Sequence, residues 1–285
     1  MHYTRCPHQH HPGAPRCASE GCEPICRYCP RPQVPWSDGR VTRTANQQAA
    51  LASRDVAGLT FIAEMYGIQL DQLAELLGLT DRQARALASR WSGHGLSDSA
   101  ILGPGPAWVW LTRAGLSACG LRYAAAPPAL ARLAHIRAVT ASRLALEAVP
   151  AYCDASAHWR SERHLRARLG GRLGARDHLP DGEVHWPDSG LVSWAGECWA
   201  IEAELTPKTV VRTTTIMRDL LTRTGDYGCP AAEARVPGAP PRHARAIYLC
   251  SPAAASTVAR ARDALGSLAA RIEIRALPSG AQVPA

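Results

Sequence analysis

The segment Leu70-Asp-Gln-Leu73-Ala74-Glu-Leu76-Leu77-Gly78-Leu-Thr80-Asp-Arg82-Gln83-Ala84-Arg85 narrows the fold more than any other stretch of the chain. Leu73, Ala74, Leu76 and Leu77 recur at helical spacing and give one short helix an apolar face. Gly78 supplies its stop. Thr80 starts the next helix, with Gln83 three residues on in capping-box register. Ala84, Leu87 and Ala88 turn inward and leave Arg82, Gln83, Arg85 and Arg90 outward. Two short helices across a tight turn make a helix-turn-helix, whose second helix enters the major groove. Arg and Gln read base edges or bind phosphate, so Thr80, Arg82, Gln83, Arg85 and Arg90 are candidate DNA contacts. A helical bundle with a solvated Arg face is the competing reading.

Helical patterning runs from about residue 43 to 90. Residues 98–111 then read as a hairpin with Gly103-Pro-Gly105-Pro106 at its tip, followed by Leu111-Thr112-Arg113-Ala114-Gly115-Leu116. Three helices and a hairpin in this order resemble a winged helix. Trp108 and Trp110 alternate on the wing strand and are expected to pack on the helices. Residues 129–148 read as a helix, and near Val149-Pro150 the pattern changes. An amphipathic helix is expected over 156–169, opening at Trp159-Arg160-Ser161-Glu162-Arg163. Strand-like runs at 178–186, 190–195 and 198–205, a helix at 209–223, a strand at 246–250, a helix at 256–268 and a strand at 271–277 follow. At 285 residues the chain has room for two domains with an appendage.

The second half carries the acids. Glu202 and Glu204 lie two apart on a strand and share one face, while Ile201, Ala203 and Leu205 take the other. Like charges this close repel, and a divalent cation between them relieves the repulsion. Asp181 completes an oxygen set for Mg²⁺ or Mn²⁺, Gly182 leaves room for close approach, and Glu162 reaches in from a helix. Lys208 is the only lysine; 31 of the 32 cationic residues are Arg. Lys depletion marks a GC-rich genome, as do the lone Phe61 and Asn46, but a compact ammonium four residues from Glu204 suits charge stabilisation at phosphorus. A solvated Glu face on an edge strand is the bland alternative.

The helix, strands, helix, strand order with Glu162, Asp181, Glu202, Glu204 and Lys208 resembles the PD-(D/E)XK nuclease superfamily. The usual Glu-X-Lys ending is replaced by Glu-X-Glu, with the Lys four residues later behind Pro207. Two segments together resemble the actinobacterial plasmid replication-relaxation family over about residues 50–277. One is the winged helix ending in Trp110-Leu-Thr-Arg-Ala-Gly115-Leu, with His135 in the next helix. The other is Trp159-Arg-Ser-Glu162, His178-Leu-Pro-Asp181-Gly182 and Glu202-Ala-Glu204-Leu-Thr-Pro-Lys208. The resemblance implies plasmid or mobile-element replication or DNA relaxation, and leaves open whether the acids cut DNA.

The first 40 residues are rich in Pro, Cys and His. Cys17-x4-Cys22-x3-Cys26-x2-Cys29 offers four thiols to structural Zn²⁺, with Cys6 and His8 as substitutes. A disordered tail is the alternative. The remaining Cys119, Cys153, Cys198, Cys229 and Cys250 read as small buried hydrophobes. The start is polar and no apolar run is long enough to span a membrane, so a cytoplasmic protein is expected. A net charge of +8 suits a polyanionic partner.

The expected fold is α+β and multidomain: a Cys/His-rich extension (1–40), a winged helix-turn-helix (43–126), a connecting helix (127–150) and a PD-(D/E)XK nuclease-like α/β domain (151–285). Expected partners are double-stranded DNA and plasmid replication or mobilisation proteins. The expected activity is Mg²⁺- or Mn²⁺-dependent DNA cleavage. The main alternative is a non-catalytic accessory factor or transcriptional regulator, and a third reading is a defence nuclease.

Overall fold

The computed structural model describes residues 51–170, 178–188, 190–225 and 239–281, with the backbone of two short strands, β1 (Ile25–Cys26) and β2 (Cys29–Pro30). β1 and β2 pair antiparallel with Cys26 opposite Cys29. Cys6, His8, Cys17 and Cys22 lie outside the described residues, as do the side chains of Cys26 and Cys29. The described chain is mixed α+β. No helix among the described residues is long and apolar enough to cross a membrane.

The helical stretch before residue 93 consists of three helices: α1 (Ser53–Glu64), α2 (Leu70–Leu77) and α3 (Asp81–Gly93). Gly78 ends α2 at φ 62°, where its N–H reaches the carbonyls of Ala74 and Glu75. Thr80 accepts from the Gln83 N–H while Gln83 accepts from the Thr80 N–H, so both halves of the capping box form. Ala84, Leu87, Ala88 and Trp91 are buried, and Arg82 and Arg85 are exposed. β4 (Ser97–Ala100) and β5 (Trp108–Leu111) form the expected hairpin, and β3 (Ile68–Gln69) pairs with β5 as a third strand. Trp108 is buried and Trp110 half-buried, while Val109 and Leu111, which alternate with them on β5, join the hydrophobic cluster of the helices. Thr112 caps α4 (Arg113–Ala118) by accepting from the Gly115 N–H.

A 3₁₀ turn (Leu130–Arg132) leads into α5 (Leu133–Glu147), which is buried on nearly every side. α5 packs on α2 and β3 and also on the large sheet. Leu73, Ala138, Leu144, Trp159 and Ile201 accordingly belong to one hydrophobic cluster, which crosses the boundary expected near 150. Two buried arginines on α5 bind the first half of the chain. Arg137 donates to both Asp71 oxygens, at 3.0 and 2.7 Å. Arg143 bridges Glu64 and Glu147 under the Phe61 ring.

After α6 (Pro150–Asp154) comes a five-stranded mixed sheet in the order β10-β9-β8-β7-β6. Its strands are β6 (His158–Ser161), β7 (Gly182–His185), β8 (Cys198–Glu204), β9 (Arg245–Cys250) and β10 (Ile272–Ala276). β6, β7 and β8 are antiparallel neighbours, whereas β8, β9 and β10 run parallel. The parallel connections are made by α8 (Val210–Thr222) and α9 (Pro252–Asp263). Three sequence expectations are corrected. Trp159-Arg160-Ser161 is strand, and the helix α7 (Glu162–Leu169) begins only where the Ser161 hydroxyl caps it by accepting from the His164 N–H. Residues 191–197 make turns that place Trp194 against Trp186 and Trp199, so the third antiparallel strand is β6 and not 190–195. The helix expected at 256–268 begins earlier, at Pro252, whose missing N–H suits a first helical position.

Gly182 has a different purpose from the one expected. A Cβ there would stand 2.0 Å from the Trp159 ring on the core side of the sheet. The glycine serves close indole packing and not the approach of a ligand.

Candidate functional site

The sheet gathers four acids at one end. β8 is buried on both faces: Ile201 and Ala203 join the α5 cluster, while Ala200 packs with Tyr248 beneath α8 and α9. Glu202 and Glu204 alternate with the first pair and lie on the second face, 2% and 4% exposed. The solvated edge-strand alternative is therefore excluded. Asp181 stands directly before β7, and the Ala203 N–H donates to its Oδ2 at 2.8 Å. Glu162 opens α7, and its N–H donates to the Asp181 carbonyl at 3.1 Å. The end of β6, the start of antiparallel β7 and the end of β8 thus deliver all four acids to one end of the sheet. This is also the carboxyl end of the parallel β8–β9 pair, where open α/β sheets leave a crevice for ligands.

Each acid has a basic partner. His135 Nε2 lies 2.7 Å from Asp181 Oδ1, and His178 Nε2 lies 2.7 Å from Glu202 Oε1. Lys208, in the loop ahead of α8, donates to Glu204. Glu162 takes Arg132 at 2.8 Å and Arg166 at 2.6 Å. Lys208 therefore turns back into the site despite Pro207. The acids sit deep, and Lys208, His135 and His178 form its partly exposed mouth. A cavity of about 20 Å³ between His135, Glu162 and Asp181 has room for about one water.

The two central carboxylates are pushed in opposite directions. Burial opposes the Asp181 charge, but the bonds and charge of His135 and the Ala203 N–H outweigh it and hold its pKa below the usual carboxylate range. At Glu202 burial is the larger effect, and together with the Asp181 charge it raises the pKa against the pull of His178 and Lys208. Burial also opposes the charged form of His135, yet its bond to Asp181 and the surrounding carboxylates raise its pKa. His178 is raised in the same way by Glu202, against its burial. Adjacent carboxyls with divergent affinities for protons are characteristic of sites that handle protons or cations.

The donor set fits a hard cation in its chemistry. Asp181, Glu202 and Glu204 offer only oxygens, and beside them the buried Tyr248 hydroxyl has no hydrogen-bond partner among the described residues. The acids do not stand closed around one point. Among the described residues, the one group of three or more His, Cys, Asp or Glu whose ligand atoms all lie within 4.8 Å of one another is elsewhere, at Glu183, Cys198 and His243.

Cation binding and protons are therefore linked. His135 and His178 have folded pKa values above the unfolded value of about 6.5, so the stability they add is complete below that value and is lost as pH rises through the folded values. A divalent cation bound at these carboxylates would have to displace His135 and His178 from Asp181 and Glu202. Mg²⁺ affinity is expected to climb as pH rises toward the folded values of the two rings and to level off once both are neutral. Calorimetry in buffers of different ionisation enthalpy should report release of up to about two protons per ion; binding with no proton release would uncouple the histidines from the site.

Several sequence-expected DNA contacts are already committed. Arg90 donates to both Asp55 oxygens, at 2.8 and 3.0 Å, and Thr80 and Gln83 bond each other in the capping box. Arg82 and Arg85 remain, exposed on α3 with no ion pair among the described residues. Arg132, Arg166 and Tyr248 are functional neighbours that the sequence motifs leave out, and His135 and His178 enter only through the family resemblance. The local signals that bases accompany the acids are the i,i+4 spacings of Lys208 from Glu204 and Arg166 from Glu162.

The chain matches no known family model, no curated protein and no solved structure.

Proposed function

We propose that the protein binds double-stranded DNA through a winged helix-turn-helix (α1 to β5) and hydrolyses phosphodiesters at a PD-(D/E)XK-like site, in plasmid or mobile-element replication or DNA relaxation. The observation that carries the reading is the gathering of Glu162, Asp181, Glu202 and Glu204 at one sheet end, with Asp181 fixed to β8 by the Ala203 N–H. Mg²⁺ or Mn²⁺ held by Asp181, Glu202 and Glu204 would supply Lewis acidity for attack of water on phosphorus. Lys208, released from Glu204, stabilises the charge that develops on the phosphoryl oxygens. Glu162 holds Arg132 and Arg166 beside the site, where their charge orients the phosphate backbone. Plasmid replication or mobilisation proteins are the proposed partners.

A specific observation favours a second reading. Every acid of the cluster is already bonded to a base, as in a site that has kept the fold and exchanged cations for fixed side chains. That protein is a non-catalytic accessory factor or transcriptional regulator. Incubation of supercoiled DNA with the wild-type chain in Mg²⁺ or Mn²⁺ separates the two: nicks or linear product support the nuclease, and intact DNA with normal binding supports the regulator.

Duplex binding has its own test. Arg82→Ala with Arg85→Ala is expected to weaken binding and to lower the salt slope by about two, since each Arg neutralises about one phosphate. Unchanged binding would move the DNA contact off α3.

A further inference from the structure

A second group of ionisable side chains occupies the other end of the same sheet face. In the antiparallel β7–β8 pair, Glu183 lies opposite Ala200 and His185 opposite Cys198. By strand alternation, Glu183, His185 and Cys198 share the face of Glu202. His243 joins them from the residues before β9. One ligand atom each from Glu183, Cys198 and His243 lies within 4.8 Å of the other two. His185 Nε2 is 2.9 Å from Glu183 Oε2 and 3.6 Å from Cys198 Sγ. Glu183 and His243 are 0% exposed.

The orientation of His243 points to a cation. Its Nδ1 lies 3.0 Å from the Leu220 carbonyl oxygen, which can only accept, so Nδ1 carries a proton. Its Nε2 then faces Glu183 Oε1 at 2.9 Å. A lone pair and a carboxylate oxygen hold that separation only with a cation on or between them, either a second ring proton or a metal ion. A ring whose far N–H is held by a carbonyl while its near nitrogen faces other donors has the outer-shell geometry of a metal-binding histidine. Glu183 is held likewise: Arg242 donates to both of its oxygens, at 2.7 and 3.1 Å.

The donors sort the ion. Mg²⁺ takes oxygens, whereas a thiolate with imidazoles and one carboxylate selects a d-block dication of the Zn²⁺ class. We propose that Glu183, Cys198 and His243 hold such an ion in a structural role, with His185, which stands beside Glu183 and Cys198, turning in as the fourth ligand. Burial and the Glu183 charge push the Cys198 thiol pKa up, so the residue is a thiol until the dication arrives. On binding, the thiol proton and any second proton on His243 pass to solvent, and the Sγ–metal bond replaces the S–H bond. The ion would tie β7 and β8 to the segment entering β9. The site is independent of DNA cleavage.

The N-terminal cysteines compete for the same metals, so the test uses the full chain with Cys17, Cys22, Cys26 and Cys29 all changed to Ser. After EDTA treatment this chain is expected to take up about one equivalent of Zn²⁺. With Co²⁺ it should develop thiolate-to-cobalt charge-transfer absorption. Cys198→Ser in this background should lose that absorption and weaken Zn²⁺ by at least about tenfold. His185→Gln, at a more exposed ring, covers the case in which Cys198→Ser does not fold; it should weaken Zn²⁺ similarly and keep the thiolate band. No uptake by the parent chain, or unchanged uptake in both variants, would overturn the proposal.

Discussion

Asp181→Asn combined with Glu204→Ala is expected to lower metal-dependent cleavage of supercoiled DNA by on the order of 10²–10³-fold or more, the scale of losing a preorganised charge-stabilising group. The substitutions are chosen to spare the fold. The amide oxygen introduced in place of the Asp181 carboxylate would still accept from the Ala203 N–H, which holds the end of β7 to β8. Loss of Glu204 frees Lys208, whose ammonium is part-exposed and can turn to water. Duplex binding through Arg82 and Arg85, on a separate helix, should stay within about twofold, because distant sites without shared partners act independently. Gel assays of nicked and linear product, beside binding isotherms and far-UV circular dichroism, read the three quantities separately. Full cleavage by the folded double variant would remove these acids from the chemistry.

Arg143→Ala is expected to be the most destabilising single substitution, at about 3–5 kcal/mol. The guanidinium is only 3% exposed and lies 2.6 Å from Glu64 and 2.7 Å from Glu147, with the Phe61 ring 4.1 Å away. Its neighbours raise its pKa against the cost of burial, which marks the charge as strongly held. Truncation leaves two enclosed carboxylates without their cation and a void beneath Phe61. The melting temperature should fall by roughly 10 °C. Arg143→Met fills the void and restores no charge, so it should recover a minority of the loss. A shift of under a few degrees for Arg143→Ala would show that water reaches Glu64 and Glu147 readily.

The parts of this fold that were legible in the sequence are those set by neighbours in the chain. Gly78, Thr80 and Gln83 specify the α2–α3 turn within a few residues, and the structure has each cap bond. The β8 alternation placed Glu202 and Glu204 on one face, although sequence alone could not tell that both faces are covered. The segment 156–169 was misread because a short strand and a helix adjoin without a loop, joined at the Ser161 cap. The histidine partners were illegible for a different reason. His135 and Asp181 are 46 residues apart, and His178 and Glu202 are 24 apart. Cys198, read as a small hydrophobe, lies beside His185 and Glu183 through strand pairing that no local pattern encodes.

The lone lysine gains a concrete place from the structure: it closes the mouth of the acid cluster by bonding Glu204. Its release is the step on which the nuclease proposal depends, and His135 and His178 must let go of their carboxylates with it.

The most direct measurement is the conversion of supercoiled plasmid by the wild-type chain across a Mg²⁺ and Mn²⁺ titration, with EDTA as the control. Nicked or linear DNA that appears with the divalent ion, disappears with EDTA and increases with pH until both imidazoles are neutral is the expected result. DNA that remains supercoiled at every ion concentration and pH, while the same protein binds the duplex normally, would contradict the proposal and leave a DNA-binding regulator built on a cation-free site.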